Sequence, residues 1–247
     1  MKISYIIPTI KPEYCANYVI HNIEHLPKHD FEIILISPNP SKFSGKNIIS
    51  LFDDTIAGAV YSFNKGYKVS TGDIIVPFCD DQELCPNFLD IFNYIETPEF
   101  QNKKIKLCNL AERMGGPGKD SYHKLEAIKE IKNPWPLDSI FPQNHPNKRP
   151  YTTYFFPLIM RESIEKYMDG VIYNDCFVQG WNDHWIGYYS DILNNDSEMG
   201  PKNIYSKTID SFNNIKSPAI AFHNQDRDVF FKLVELSSHG IKYNHKI

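Results

Sequence analysis

Two adjacent carboxylates, Asp80 and Asp81, come shortly after the apolar run DIIVPF at 73–78. Such a run is typical of a buried strand, and open α/β sheets bind their ligands at the carboxyl ends of the strands. Carboxylates at that edge suit a divalent cation that also binds phosphate oxygens. The pattern therefore predicts chemistry on a phosphorylated substrate. The alternative is that the aspartates cap a helix over 82–89, although Pro86 places the start of that helix later.

The elements around these carboxylates predict an α/β fold. Apolar and β-branched runs predict strands at 2–7, 31–36, 47–52 and 73–78. Helical spacing of apolar residues predicts one helix over 13–26 and a second helix, carrying Ile56, Val60, Phe63 and Tyr67, that ends by Gly72. Strands that alternate with helices favour a doubly wound α/β unit with right-handed crossovers.

The second half of the chain has a different pattern. The segment 133–150 holds five prolines and little periodicity, and MGGPG at 114–118 reads as a loop. A long irregular segment of this kind is typical of a lid or a binding loop. A strand is expected within 151–160 and a short helix over 161–168, and an aromatic cluster comes next at 177–189.

Composition excludes several classes of protein. The 247 residues are 42% hydrophobic and 23% charged, which is ordinary for a globular protein able to bury a core. A net charge of -4 without a basic stripe gives no reason to expect nucleic acid as a partner. Five cysteines without CxxC spacing favour a reducing compartment over a disulfide framework.

The chain shows no targeting or spanning segment in its sequence. The apolar run before Pro8 is too short for a signal peptide, and no stretch approaches the roughly 20 apolar residues that span a bilayer. We therefore expect a cytoplasmic protein. The sequence leaves the oligomeric state open.

Five segments, in order, resemble the GT-A glycosyltransferases, most closely the large family 2 of inverting enzymes. They are IIPTIKPE (6–13), FEIILIS (31–37), GAVYSFNKGYKVSTGD (58–73), CDDQELCP (79–86) and GWNDHW (180–185). The resemblance implies one GT-A-like domain, an α/β fold with a doubly wound mixed sheet. Residues 1–111 would form its nucleotide-sugar-binding half and 112–247 its acceptor-binding half.

The resemblance also implies a donor site. Asp81 would bind Mn²⁺ or Mg²⁺ that bridges the diphosphate of a nucleotide sugar, and Asp80 would lie beside the ribose or the water shell of the metal. Pro8 and Thr9 would line the nucleotide pocket, and Asn64 of the helix motif would contact the nucleotide sugar. A metal at this place stabilises the charge that develops on the diphosphate leaving group, as a Lewis acid.

GWNDHW resembles the segment that bears the acceptor-activating acid, which makes Asp183 the candidate general base. An inverting transfer needs a carboxylate that takes the proton of the attacking hydroxyl. Trp181 and Trp185 would pack against the acceptor sugar, since aromatic faces suit its C–H surface. The alternative is an aromatic core segment with a solvated aspartate, and Asp175 is the fallback base.

His223 is a further candidate metal ligand, because several GT-A enzymes complete their metal shell with a histidine in the C-terminal region. It comes after AIAF, which reads as a short strand. A lone histidine at a strand end is more often only hydrogen-bonded.

Three positions depart from the pattern that the resemblance sets. Ser37-Pro38-Asn39 stands where many members have an acid that reads the nucleobase, and Phe63 stands where many have an arginine. Cys79 leaves two acids instead of three in the metal motif. The first two departures fall on base recognition, so the nucleotide and the donor sugar stay open.

A rival motif lies at 21–25, where His-Asn-Ile-Glu-His fits the H-x-x-E-H pattern of zinc metalloproteases. At about 100° per residue, His21 and His25 point away from the apolar stripe of the same helix. The members of that stripe are Cys15, Val19, Ile23 and Leu26. A buried catalytic zinc needs the reverse arrangement.

Two other functions compete with sugar transfer. A nucleotidyltransferase acting on a sugar phosphate uses a similar sheet and metal-binding aspartate, but TIKPEY at 9–14 lacks the glycines of its phosphate loop. A catalytically inactive GT-A-like domain that only binds a glycan or nucleotide is the second. Our prediction is an enzyme that transfers a sugar from a nucleotide sugar to a hydroxyl acceptor with a metal and with inversion.

Overall fold

The computed structural model describes residues 1–15, 19–39, 45–55, 57–80, 82–84, 87–109, 111–114, 157–194, 205–208, 219–237 and 240–247. Within these ranges the main feature is a six-stranded mixed sheet, and a three-stranded sheet forms separately from it. The strands are β1 Lys2–Pro8, β2 Asp30–Ser37, β3 Ile48–Phe52, β4 Ile74–Pro77, β5 Gln82–Leu84, β6 Leu107–Asn109, β7 Ala111–Met114, β8 Pro157–Met160 and β9 Tyr205–Thr208.

The strand order of the large sheet is β3-β2-β1-β4-β8-β6. The first four of these are mutually parallel, and β8 runs antiparallel to both β4 and β6. In the small sheet β9 lies between β5 and β7. Because β1, β2, β3 and β4 are parallel, their carboxyl ends meet at one edge, which is where open α/β sheets bind ligands.

Short helices connect the strands, and one long helix lies near the C-terminus. They are α1 Pro12–Cys15, α2 His21–Glu24, α3 Ala59–Val69, α4 Ile91–Ile95, α5 Pro98–Gln101, α6 Arg161–Tyr167, α7 Asn182–Gly187 and α8 Ala219–Leu236. A 3-10 turn over Phe88–Asp90 leads into α4, and a π-helix over Tyr188–Leu193 continues α7. None of the helices that the structure describes is both long and apolar enough for a membrane crossing.

The alternation of side chains along β1 and β2 divides the core into two layers. Ile6 and Ile34 face a cluster that includes side chains of α3, α6, α7 and α8. Ile7 and Leu35, one position further along each strand, face a second cluster with the 88–100 segment. Apolar residues at every position of a strand are what burial on both faces requires.

Two glycines set how closely α3 packs. A side chain at Gly66 would collide with Ile6 and Ile36 of the sheet, so the helix lies directly on the strands. Gly58, just before α3, has φ +98°, and a side chain there would meet the carbonyl oxygen of Val178. Both glycines therefore fix the place of α3 between the sheet and residue 178.

The amino ends of the parallel strands carry a buried polar network. The carboxylate of Glu32 accepts hydrogen bonds from Lys2 Nζ at 2.7 Å and Ser4 Oγ at 2.7 Å. It also accepts from the backbone N–H and the hydroxyl of Thr71. Burial alone would raise the pKa of Glu32, but these bonds lower it to about 2.

Most of the predicted elements are confirmed. The four predicted strands correspond to β1, β2, β3 and β4, the second helix to α3, and 161–168 to α6. The first described helical residues after β5 are Phe88–Asp90, which agrees with the later helix start that Pro86 predicted. The described part of 151–160 forms β8, whereas the expected loop at 133–150 lies outside the described residues.

The described part of the expected helix over 13–26 contains α1 and α2, with helical residues 19–20 directly before α2, and residues 16–18 lie outside the described residues. One prediction of secondary structure needs correction. The run before His223 is not a strand but the first turn of α8. The four apolar residues at 219–222 are too few to distinguish a strand from a helix, and the helical pattern becomes clear only further along the chain. The buried positions Asp226, Phe230, Leu233, Val234 and Ser237 have helical spacing.

Candidate functional site

The carboxyl ends of β1 and β4 bring two predicted donor-site residues together. Thr9 directly succeeds β1, and Asp80 lies three residues after β4. The hydroxyl of Thr9 donates a hydrogen bond to Asp80 Oδ2 at 2.5 Å, across 71 positions of sequence. Thr9 is buried, and Pro8 beside it is half-buried at the end of β1. Asp81 lies outside the described residues.

Asp80 is a half-buried carboxylate. Burial raises its pKa above the ordinary value, and the hydroxyl of Thr9, a backbone hydrogen bond and the charge of Lys11 counteract only part of this. Burial, with the charge of Asp80 added, also raises the pKa of the Cys15 thiol. The carboxylate of Asp80 is therefore a group whose charged form would gain from a cation where the ends of β1 and β4 meet.

The donor set around Asp80 fits a divalent cation held jointly with a substrate. Carboxylate oxygen is a ligand that Mg²⁺ and Mn²⁺ prefer. The described residues contain no group of three histidine, cysteine, aspartate or glutamate side chains that could hold a metal ion by themselves. Magnesium sites of nucleotide enzymes are of this kind, since one or two carboxylates and the substrate phosphates share the ion.

Asp183 lies in the first turn of α7. Its side chain is 21% exposed, and its Oδ2 lies 3.9 Å from His184 Nε2. The residue before the helix, Trp181, has φ +59°, a left-handed conformation that is uncommon for an aromatic residue. The chain therefore enters α7 through a sharp turn that presents Asp183 at the helix start.

Tyr173 packs against α3. It is 8% exposed, and its ring makes an edge contact with Phe63. Burial raises the pKa of Tyr173 well above its ordinary value, and the charges of Cys79 and Asp183 raise it further. The segment that leads into α7 is held at the start of α3, since Val60 N donates to the carbonyl of Val178 at 3.2 Å. Because α3 follows the parallel strand β3, this segment lies at the carboxyl edge of the sheet.

The structure separates the two tryptophans that were predicted to bind the acceptor. Trp185 is fully buried, and its indole N–H donates to the carbonyl of Tyr243 at 3.0 Å. It has no exposed face for a sugar, which argues against the predicted stacking role and fits the aromatic-core alternative. Trp181 is only partly buried, with its ring 4.6 Å from that of His184 and 5.6 Å from that of Phe230. Its predicted contact with an acceptor stays a prediction.

Asn64 has a structural role in place of the predicted nucleotide contact. Its Nδ2 donates to the carbonyl of Tyr173 and to Asp175 Oδ1, each at 2.8 Å. Its Oδ1 accepts from the backbone N–H groups of Ile172 and Tyr173. An amide side chain has two donor hydrogens and two acceptor lone pairs, so these four bonds use its full capacity. They argue against a contact with the nucleotide sugar and show that Asn64 anchors 172–175 to α3.

Asp175, the fallback base, also holds structure together. Its carboxylate accepts from Lys246 Nζ at 2.7 Å, Asn244 Nδ2 at 3.1 Å and Asn64 Nδ2. Partial burial alone would raise the pKa of Asp175, but these partners lower it. A carboxylate with a lowered pKa is a weaker proton acceptor, and this argues against Asp175 as the base.

Three further positions from the sequence remain: His223, the rival zinc motif at 21–25, and the segment after β2. His223 lies in α8, and its role as a metal ligand stays a prediction. His21 and His25 are exposed while Ile23 between them is fully buried, as the helical spacing predicted. This is the solvated face of the segment, which is the wrong place for a buried catalytic zinc. In the segment where many GT-A members have a base-reading acid, Asn39 donates to the carbonyl of Ile10 at 2.7 Å.

Sequence reasoning missed Asp226, a fully buried carboxylate of α8. It accepts hydrogen bonds from the backbone N–H groups of Val178, Gln179 and Gly180. These residues lead directly into the turn before Asp183. The only signal in the sequence was that an acid falls on the apolar stripe of a helical pattern, which calls for a buried partner.

This sheet order and edge define a class of fold that solved structures share. The mannosyltransferase PcManGT from Pyrobaculum calidifontis, in complex with GDP-Man and Mn²⁺, aligns over 94% of this chain and 64% of its own, with a TM-score of 0.58 and 12% identity. S. aureus TarS 1-349 aligns over 85% of this chain and 58% of its own, with a TM-score of 0.50 and 14% identity.

The likeness at these identities concerns the fold. The chain has a GT-A-like fold, which it shares with the mannosyltransferase PcManGT, and this confirms the fold that the sequence predicted. It aligns with less than two thirds of the length of either solved chain. No family model matches the sequence, and neither does any curated protein.

Proposed function

We propose that the protein is a glycosyltransferase that moves a sugar from a nucleoside diphosphate sugar to a hydroxyl acceptor. The observation that carries the proposal is that both carboxylates come from the carboxyl edge of the sheet. Asp80 accepts from Thr9 there, and the segment that leads to Asp183 is hydrogen-bonded to the start of α3 through the carbonyl of Val178. Sugar transfer needs one carboxylate for the metal-diphosphate side of the bond and another for the attacking hydroxyl. The GT-A-like fold supports the same assignment, since PcManGT was solved with GDP-Man and Mn²⁺.

Asp80 and Thr9 form the donor side in this proposal. Asp80 would hold Mn²⁺ or Mg²⁺ together with Asp81 and the diphosphate oxygens. The cation would stabilise the negative charge on the departing diphosphate. The hydroxyl of Thr9 holds the carboxylate of Asp80 in one orientation, because it donates to Oδ2.

Asp183 forms the acceptor side. It takes the proton of the acceptor hydroxyl as that oxygen attacks the anomeric carbon. Attack from the face opposite the diphosphate would give inversion, and it requires the base to lie on the side of the anomeric carbon away from the diphosphate. Asp80 lies just beyond β4 and Asp183 lies in the first turn of α7, so the two carboxylates come from separate elements. The side chain of Asp183 is partly exposed, which leaves room for an acceptor.

Transfer from GDP-sugars and UDP-sugars tests the proposal, with and without Mn²⁺ and with simple glycosides as acceptors. We expect release of the nucleoside diphosphate that depends on metal and acceptor, and its loss in Asp183→Asn. Asp228→Asn is the matched control, since Asp228 is an exposed aspartate of α8. Tight nucleotide binding without turnover on any acceptor would favour an inactive binding domain. The proposal would be contradicted if the protein neither bound nor turned over any of the donors.

A further inference from the structure

Asp226 is a buried charge whose hydrogen bonds come from backbone groups of one short segment. Its carboxylate has no exposed surface. Oδ1 accepts from Val178 N at 2.9 Å, and Oδ2 accepts from Gln179 N at 2.8 Å and Gly180 N at 2.7 Å. Burial of a carboxylate is costly unless hydrogen bonds compensate it. Three donors from consecutive residues supply that compensation and tie 178–180 to α8.

The same segment is held from its other side by the start of α3. The carbonyl of Val178 accepts from Val60 N at 3.2 Å, and Gln179 Oε1 accepts from Ala59 N at 3.1 Å. Gly58 has no room for a side chain against Val178. Residues 178–180 are therefore fixed between two helices that belong to distant parts of the sequence.

The turn that presents Asp183 comes directly after this fixed segment. Trp181 adopts its left-handed φ of +59° immediately after Gly180, and its carbonyl accepts the first helical bond from Trp185 N at 3.0 Å. A non-glycine residue in this conformation persists only where the surrounding structure determines it. The place where 178–180 is held thus sets where α7 begins, and with it the place of Asp183.

We propose that Asp226 is a positioning residue for Asp183. It does not contact the reacting groups in this proposal. It holds residues 178–180, and the next three residues are Trp181, Asn182 and the base Asp183. This inference rests on the proposed function of Asp183, since a positioned base is needed only if proton transfer takes place there. Misplacement of a catalytic group by about 1 Å can lower a rate about 100-fold.

Asp226→Asn tests the inference with the smallest change in shape. The amide of asparagine has one acceptor oxygen in place of two. Its NH₂ group is a donor and cannot accept a hydrogen bond from the backbone N–H groups that bonded to the replaced oxygen. Asp228→Asn, two positions further along α8 and 73% exposed, is the matched control. Gln179→Met removes the second anchor, the bond to Ala59 N, without touching the buried carboxylate.

Three quantities are measured for each variant. They are the kcat of sugar transfer, the affinity for the nucleoside diphosphate with Mn²⁺, and amide hydrogen exchange of a peptide covering 178–183. For Asp226→Asn we expect kcat to fall by about 10- to 100-fold. Exchange in the peptide should accelerate by about tenfold or more, the equivalent of one lost bond to a charged group. Nucleotide affinity should stay within about twofold, because the donor residues lie on other elements.

The two comparison variants should behave differently. Gln179→Met should lower kcat and accelerate exchange, but less than Asp226→Asn does. Asp228→Asn should change neither quantity.

Three results would overturn the inference. Faster exchange with wild-type kcat would mean that the segment does not position the base. Equal losses of kcat and nucleotide affinity would mean a general structural effect. If Asp226→Asn does not fold, unchanged kcat and exchange in Gln179→Met would overturn it.

A wild-type protein without transfer activity would instead count against the proposed function. In that case, unchanged hydrogen exchange of 178–183 in Asp226→Asn would also show that Asp226 does not hold residues 178–180. Accelerated exchange would show that it does.

Discussion

Two carboxylates at opposite ends of the parallel strands have opposite surroundings. Glu32, near the amino ends, receives hydrogen bonds from Lys2, Ser4 and Thr71, and its pKa is lowered to about 2. Asp80, beyond the carboxyl end of β4, has the hydroxyl of Thr9, and burial raises its pKa. The first network is complete within the protein, whereas the second is suited to an added cation.

This difference indicates which end of the sheet serves stability and which serves function. A carboxylate whose partners are all supplied by the protein contributes to folding and has little left for a ligand. A carboxylate that burial makes costly is typical of a functional site, where stability is given up for chemistry. Asp175 belongs to the first kind, and Asp80 is the candidate for the second.

The largest expected effect separates the two candidate bases. Asp183→Asn should lower kcat by about 10²- to 10⁴-fold, the usual contribution of a general base. Asp175→Asn should leave kcat within a few-fold and lower the melting temperature, because it weakens the tie to Lys246 and Asn244. Initial rates of nucleoside diphosphate release at saturating donor measure the first effect, and thermal unfolding measures the second. The opposite pattern would make Asp175 the base.

Replacement at the amino end should affect stability alone. Glu32→Gln should lower the free energy of unfolding by about 2 kcal/mol, since it removes charge-assisted bonds to a buried carboxylate. Nucleotide affinity and kcat should stay at wild-type values. Urea unfolding, with the slope compared between variants, measures this change. A loss of nucleotide affinity at equal stability would place function at the wrong end of the sheet.

Thr9→Val removes one hydroxyl from the carboxyl edge with little change in shape. We expect the Kd of the nucleoside diphosphate with Mn²⁺ to rise about 2- to 10-fold, which corresponds to one hydrogen bond that orients Asp80. Titration calorimetry with and without the metal checks it. An equal rise in Kd without metal would show that Thr9 does not act through a metal-binding carboxylate.

The smallest effect is a dependence of stability on pH that comes from Glu32. Its folded pKa of about 2 lies below the unfolded value of about 4.3. The stabilisation is therefore complete above the unfolded pKa and is lost as pH falls from about 4.5 toward 2. Unfolding free energy measured over that range should decline less steeply in Glu32→Gln than in the wild type. Identical slopes would contradict the assigned hydrogen bonds.

The sequence predicted those parts of the fold that local patterns determine. The apolar runs of β1 and β2 and the stripe of α3 result from burial on a sheet, and each pattern lies within a dozen residues. The edge that carries Asp80 obeys the same rule, because parallel strands end together.

Contacts between distant segments were beyond such patterns. The burial of Trp185 depends on Tyr243, and the four bonds of Asn64 depend on residues 172–175, more than a hundred positions away. Asp226 meets its partners 46 to 48 positions earlier in the chain. A single sequence gives residue types and spacing, and these do not specify which side chains will meet across the core.

The donor site at the carboxyl edge of the sheet is the assignment on which the proposed function depends most. The direct measurement is the thermal shift that GDP and UDP cause in the wild type, Asp80→Asn and Glu32→Gln, each with and without Mn²⁺. We expect a metal-dependent rise in melting temperature for one nucleotide in the wild type and in Glu32→Gln, and its loss in Asp80→Asn. A shift that persists in Asp80→Asn, or that is absent for every nucleotide in the wild type, would contradict this assignment.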